Sequence, residues 1–288
     1  MLNLFYSESY WGHTDKMNGP KKVVYNLRES LEQENIPYAV NEEKYKYNFL
    51  IQYDHEGYIK HSKLELENCV IGPQIWMFDN HIDDLQRNPH YYKSIVAPSQ
   101  WVKDLYVSKF KFPEEKISVW PVGLSIPKVQ REYKWDCIVY YKRRNEEEFD
   151  KVKSFLDNKN LSYNFLNYGS YPEDAIEKLA PLAKFCFLLN GTESQGIAVQ
   201  EIMATGTPLI VWDITTWEDQ GPEWSVPATS VPYWSDDCGE RFFKYEDLEE
   251  TFQRFYSRID KYNPCQYVEE NLSYKASVDK LLEIFDVN

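Results

Sequence analysis

The chain contains no run of 18 apolar residues, so no stretch of it reads as a membrane-spanning helix. Its first residues, MLNLFYSESYWG, lack the basic start and apolar core of a secretory leader. The five cysteines (69, 137, 186, 238 and 265) are odd in number and form no C-x-x-C pair. Three of them stand in apolar, strand-like runs, as reduced core thiols do. Together these absences predict a cytoplasmic protein. No two of the five histidines have the H-x-x-x-H spacing of a metal site. Basic charge is short as well: 32 Lys+Arg stand against 46 Asp+Glu, a net charge of −14. That balance argues against nucleic acid as a partner and against docking on an anionic membrane.

What is present points to well-formed cores. Hydrophobic residues make up 43% of 288 and aromatics 16%, enough for one large or two medium domains and too much for disorder. The acidity is uneven: residues 1–125 carry 14 Lys+Arg against 17 Asp+Glu, and residues 126–288 carry 18 against 29. Within that acidic second part Lys142-Arg143-Arg144 stands out as a basic island.

Short apolar runs separated by helical or loop segments describe an open α/β sheet. In the first part, strands are expected at Leu2–Tyr6, Tyr38–Val40, Phe49–Tyr53, Cys69–Gly72, Ser94–Ala97 and Ile117–Val119. Helices are expected from Pro20 to near Asn35 and over Gln100–Lys109. Gly19-Pro20-Lys21 opens the first helix after a polar, aromatic loop. His13, His55 and His81 lie after or between the strand-like runs, where cleft residues of such a sheet gather. Pro121–Trp135 reads as a connection. A second series follows: strand Asp136–Tyr141, helix Glu146–Asn158, strand Tyr163–Asn167, helix Pro172–Leu182. Two helical segments, Tyr245–Tyr262 and Cys265–Phe285, close the chain.

The stretch from Leu188 to Asp213, LLNGTESQGIAVQEIMATGTPLIVWD, is the most informative. An apolar strand (Lys184–Leu189) breaks at Asn190-Gly191-Thr192. A helix then runs from about Gly196 to Thr205 and stops at Gly206 with Pro208 beyond, and a second apolar strand (Leu209–Trp212) follows. This is a βαβ unit with parallel, buried strands. The helix is apolar around most of its circumference, so Glu201 inside it is a carboxylate that needs a reason to be there. Glu193 lies eight residues before it, in the loop, with seven residues between. The helix start offers unpaired N–H groups and the positive dipole end, with Gly196 leaving room for a phosphate. Eight residues at 1.5 Å each set the two carboxyls on the order of 12 Å apart along the axis. That is too far for the acid pair of a glycosidase, which needs about 5–9.5 Å. It suits one extended ligand contacted at both ends, with a diphosphate between.

Glu, seven residues, Glu, with Gly three after the first Glu and a Gly-Thr-Pro turn after the helix, resembles the retaining glycosyltransferases of the GT-B fold, those similar to glycosyltransferase family 4. The resemblance is close over residues 184–213 and loose over the rest. It implies two Rossmann-like, doubly wound α/β domains facing a cleft: residues 1–122 on the acceptor side, a linker at 123–135, a nucleotide-sugar-binding domain at 136–265 and a terminal helix at 266–288 that crosses back. It also implies roles. Glu193 faces the donor sugar, the amides of Gly196, Ile197 and Ala198 bind the diphosphate, and Glu201 holds the ribose hydroxyls. Gln195 stands where many members have an aromatic residue, so the sugar preference is not carried over. Gly19 falls where the family has a glycine-containing loop at the cleft.

In such a fold all strand C-termini share one edge. Lys142-Arg143-Arg144 and Glu193 both end strands there and point into one crevice. The resemblance assigns basic residues at this strand end to the donor diphosphate in place of a metal. Strand alternation favours Lys142 and Arg144 over Arg143. Tyr168-Gly169-Ser170-Tyr171 ends a neighbouring strand, with Tyr171 as a candidate to stack on the base. Asp-x-Asp, the metal signature of the other large glycosyltransferase fold, is absent. The expected substrates are a UDP- or GDP-sugar and a glycan or other hydroxyl acceptor. The alternatives are a non-catalytic nucleotide-sugar or glycan binder and a sugar-nucleotide epimerase of the same fold.

Overall fold

The computed structural model of the chain describes residues 1–7, 17–42, 45–53, 66–75, 85, 90, 92–172, 174–217 and 225–286. His13, His55 and His81 lie outside those residues. The chain divides into two compact units, Met1–Gly123 with Tyr274–Asn288, and Leu124–Ser273. Among the described residues no helix is long and apolar enough to cross a membrane.

Among the described residues the first unit holds six parallel strands: β1 (Leu2–Phe5), β2 (Tyr38–Val40), β3 (Tyr47–Tyr53), β4 (Cys69–Ile75), β5 (Ser94–Ala97) and β6 (Ile117–Val119), in the order β2-β1-β3-β4-β5-β6. Helix α1 (Gly19–Gln33) starts where the Asn18 side chain accepts the Lys21 N–H at 3.0 Å and Pro20 fills the first turn. It buries Val23, Val24, Leu27 and Leu31, one stripe at helical spacing. Helix α2 (Gln100–Ser108) follows β5. The Trp120 indole, fully buried, donates to the Ser277 carbonyl at 3.0 Å. Gly123 is required there: a Cβ on it would lie 2.9 Å from the Tyr274 Cα.

In the second unit β7 (Trp135–Lys142), α3 (Glu146–Asn158), β8 (Tyr163–Asn167), α4 (Ala175–Leu179), β9 (Ala183–Asn190), α5 (Ile197–Ala204) and β10 (Leu209–Trp212) alternate along the chain. A two-stranded ribbon follows, β11 (Thr216–Trp217) with β12 (Val226–Pro227), and then β13 (Gly239–Phe242), α6 (Leu248–Ser257) and α7 (Pro264–Leu272). The five-stranded parallel sheet has the order β13-β10-β9-β7-β8. The chain leaves β7 to one side for β8 and returns on the other side for β9. The reversal point, where ligands of open α/β sheets bind, therefore lies between the C-terminal ends of β7 and β9.

Alternation along these strands sorts the residues by face. Cys137 and Val139 of β7, with Phe185, Phe187 and Leu189 of β9, join Val152, Phe155, Leu156, Phe252 and Phe255 from α3 and α6 in one core. The intervening positions, Ile138, Tyr140 and Lys142 and Cys186, Leu188 and Asn190, belong to the opposite face. The segment expected as a connection is fastened to this unit. The Arg131 guanidinium donates to the carbonyls of Gly206 (2.7 Å), Ala183 (2.8 Å) and Lys184 (3.0 Å).

The expected closing helix over 265–285 is two helices. Helix α7 ends at Leu272, Ser273 is extended (φ −64°, ψ 164°), and α8 (Tyr274–Phe285) starts afresh as part of the first unit. The Leu272 carbonyl accepts the Leu124 N–H at 2.9 Å instead of continuing a helix. The expected helix over Tyr245–Tyr262 is shorter as well, α6 flanked by single 3₁₀ turns.

Candidate functional site

Register brings the site together. Lys142, the last residue of β7, and Asn190, the last of β9, are direct Cα partners in the parallel ladder. After Asn190 the chain must pass close to the β7 turn, and Gly191 permits it: a Cβ there would meet the Arg143 carbonyl oxygen at 2.9 Å. Two residues on, Glu193 turns back over the pair. Its Oε1 accepts from Lys142 Nζ at 2.5 Å and from Asn190 Nδ2 at 2.7 Å. The Lys142 and Glu193 side chains are only 13% and 11% exposed, so this is a nearly desolvated ion pair. The Lys142 ammonium also lies over the Tyr168 ring, 4.4 Å from its centroid.

Arg144 goes elsewhere. The expectation that Lys142 and Arg144 share one side rests on strand geometry continuing past Lys142, and it does not. Arg143 adopts a left-handed backbone (φ 54°), which turns the chain. The Arg144 guanidinium grips Glu148 through two bonds of 2.7 and 2.6 Å, donates to the carbonyls of Asn190 (3.2 Å) and Trp212 (3.1 Å), and lies over the Trp212 ring. With Trp212 in the core that α3 covers, Arg144 is a brace between strand ends. Arg143 is exposed. It lines a groove of about 580 Å³ with Tyr141, Lys142, Glu146, Asn167 and Tyr168.

Helix α5 begins one residue later than expected. Gly196 is its N-cap, with φ 72° in the left-handed region, and its close neighbour is the Pro232 ring, 3.2 Å from where a Cβ would stand. A side chain here would be strained and crowded. The N–H groups of the first helical turn, Ile197 and Ala198 among them, have no intrahelical acceptor. Ile197 is buried and Ala198 half-buried. Gln195 is 8% exposed; its backbone carbonyl accepts from the Gln200 side chain at 2.5 Å.

Glu201 is half-buried in the helix. The Tyr171 phenol reports on its surroundings. Burial first, and then the negative charges of Glu201 and Glu193 among its neighbours, push its pKa up. Tyr171 therefore lies within electrostatic reach of both glutamates. Its hydroxyl is 3.4 Å from that of Tyr140, a fully buried residue on the same face of β7 as Lys142. Lys142, Glu193, Glu201 and Tyr171 thus make up one candidate site in the second unit. Gly19 opens α1 in the first unit, exposed and with nothing within 4 Å of where a Cβ would stand.

Sequence reasoning overlooked Asn190 and Asp213 as site residues, and it placed Tyr168 at the sheet edge without giving its ring a role. Asn190 carried one signal, a polar residue ending an apolar strand, but its link to Lys142 needs the β7–β9 register. Asp213, directly after β10, is 3% exposed and gathers the loop at Thr229 and Ser230.

No protein-family model matches the chain, and no curated protein does. Solved structures do match along its whole length. One is the apo form of the lipopolysaccharide outer core galactosyltransferase WaaB, with a TM-score of 0.62 at 12% identity over 99% of both chains. Another is the sucrose-phosphate synthase of Thermosynechococcus elongatus, 0.56 at 11% identity over 99% of this chain and 98% of that one. A third is a mutant of S. aureus TarM in complex with fondaparinux, α-GlcNAc-glycerol and UDP, 0.53 at 12% identity over 92% of this chain and 59% of that one. The chain has the GT-B fold. Identity this low conveys the fold and leaves the chemistry to the residues of the site.

Proposed function

We propose that the protein is a glycosyltransferase that moves a sugar from a nucleoside-diphosphate sugar onto an acceptor hydroxyl, retaining the anomeric configuration, in the manner of the family 4-like enzymes. One observation carries the reading. A nearly desolvated Lys–Glu pair sits at the sheet's reversal point, three residues before the N-cap of a helix that holds a second, half-buried glutamate. The ammonium and the helix N-terminus both favour an anion. A diphosphate satisfies both.

In this mechanism Glu201 accepts hydrogen bonds from the ribose hydroxyls, and the amides of Ile197 and Ala198 hold the diphosphate. Lys142 exchanges its Glu193 partner for a phosphate oxygen. Glu193, released, takes hydroxyls of the donor sugar and orients the ring. Tyr168 and Tyr171 border the base and ribose. The bond from the anomeric carbon to the phosphate oxygen breaks, its electron pair leaving with the nucleoside diphosphate. The acceptor oxygen attacks the same face and gives up its proton to the departing phosphate oxygen. Fixed positive charge from Lys142 and the helix stabilises the leaving group, the part a metal ion plays in other transferases. UDP is the first donor nucleotide to try, because the matched TarM structure contains it.

The test is a thermal-shift screen of UDP-, GDP- and ADP-sugars, followed by transfer and donor-hydrolysis assays. A donor at about 100 times its Kd stabilises the folded protein by about 2.7 kcal/mol, a shift of several degrees. Stabilisation followed by sugar transfer supports the proposal. Stabilisation with neither transfer nor hydrolysis makes the protein a binder, and conversion of the donor without an acceptor makes it an epimerase.

A further inference from the structure

The loop that carries Glu193 is held from outside as well as by its own bonds. Its backbone N–H at Glu193 donates to the Thr229 carbonyl at 3.1 Å, and Pro232 closes over Gly196. The segment Thr229–Pro232 thus cradles both ends of the turn between β9 and α5. That segment, in turn, is gathered from one side by a single carboxylate. Asp213 Oδ1 accepts from the Ser230 N–H (2.8 Å), the Ser230 hydroxyl (2.8 Å) and the Ile214 N–H (2.8 Å). Its Oδ2 accepts from the Thr229 hydroxyl at 2.8 Å, with Arg241 Nη1 at 3.6 Å. Thr229 Oγ1 then accepts the Val231 N–H at 3.0 Å, closing the turn. Asp213 and Ser230 are 3% and 0% exposed.

We propose that Asp213 is a positioning residue for the reaction: it sets the Thr229–Pro232 segment, and through the Thr229 carbonyl sets where the Glu193 carboxylate stands relative to Lys142. The inference rests on the transferase reading above for its catalytic consequence, and on geometry alone for the mechanical one. The brace's hydrogen bond reaches the Glu193 backbone directly, while it meets α5 only where the Pro232 ring packs on the Gly196 cap, five residues before Glu201. Loosening it therefore displaces the sugar end of the site more than the ribose end. That asymmetry separates positioning from general stabilisation, which would weaken both ends together.

Two variants and two readouts test it. Asp213→Ala removes the brace outright, and Thr229→Val removes the hydroxyl's bond to Asp213 and its bond from the Val231 N–H while keeping the side-chain shape. The first readout is amide hydrogen exchange at Glu193, compared with buried amides of β9 and α6. The second is the split between kcat for sugar transfer and Kd for UDP. In Asp213→Ala, exchange at Glu193 rises at least tenfold while the core amides stay within twofold. There kcat falls at least thirtyfold, with Kd for UDP changed less than threefold. Thr229→Val moves the same quantities in the same direction by a smaller factor, and Thr229→Ser, which keeps the hydroxyl, recovers the slow exchange. Unchanged exchange at Glu193 in Asp213→Ala overturns the proposal, as does a parallel fall in kcat and UDP affinity. If the wild-type protein binds no nucleotide, the transferase reading fails, and the exchange measurement alone upholds or overturns the brace.

Discussion

The two units put the same device to different use. Each is a parallel sheet whose strand order reverses once, between β1 and β3 in the first and between β7 and β9 in the second. At the first reversal, among the described residues, neutral amide side chains hold backbone. Gln52 accepts the Ser7 N–H at 2.8 Å, Asn41 exchanges two bonds with the Tyr6 backbone, and Gln74 donates to the Pro20 carbonyl at 2.8 Å. At the second reversal the side chains are charged, and Lys142 and Glu193 hold each other. An amide bonded to a connecting loop is structural without any ligand. A lysine paired with a carboxylate at a strand-end crevice can trade that partner for another anion. That contrast between the described residues is why the proposed donor site is sought in the second unit.

Substitutions can break or sharpen that contrast. The largest effect is expected from Glu193→Ala: turnover falls by 10² or more, the scale of losing one contact made to the reacting centre. Nucleotide affinity holds or improves slightly because Lys142 is released; a matching loss of affinity, read by calorimetry, would contradict the division of roles. Glu201→Ala should weaken binding of the nucleoside diphosphate about thirtyfold, from the roughly 2 kcal/mol of a hydrogen bond to a charged group. Lys142→Ala should weaken donor binding about tenfold and flatten its dependence on salt, and an unchanged titration would pass the role to Arg143. Gln52→Ala, the counterpart in the first unit, should cost about 1 kcal/mol of stability and leave nucleotide affinity within twofold; loss of nucleotide binding there would erase the contrast.

The smallest effect is chemical. Cys69 in the first unit and Cys137, Cys186 and Cys238 in the second are buried, and burial pushes their thiols up, Cys69 and Cys186 to about 12. A bulky thiol reagent should reach only half-buried Cys265 in the native protein. Early reaction of Cys69 alone would mean that the first unit opens more readily than the second.

Most of the fold could be read from apolar runs because buried parallel strands are nearly continuous in Leu, Ile, Val and Phe. The β9–α5–β10 unit was legible for a further reason: Gly196, Gly206 and Pro208 punctuate it. What escaped depends on neighbours distant in sequence. Hydrophobic spacing runs through Val268, Leu272, Val278 and Leu281 without a mark at Ser273, so the break between α7 and α8 is visible only in the bond from Leu124. Strand alternation carried Arg144 to the wrong side because no residue pattern announces a left-handed Arg143. Lys142, Asn190 and Glu193 come from two strands whose adjacency is topological. Asp213 looked like a loop residue until its partners, 16 and 17 positions on, were in view.

The central claim is that one charged sheet edge binds a nucleoside diphosphate at two separable ends. Titrating UDP, GDP and ADP by calorimetry into the wild-type protein, Glu193→Ala and Glu201→Ala side by side tests it directly. The account predicts that one nucleotide binds, that Glu193→Ala keeps that affinity within threefold, and that Glu201→Ala loses about thirtyfold. No binding of any nucleotide to the wild-type protein, or equal losses in the two variants, would contradict it.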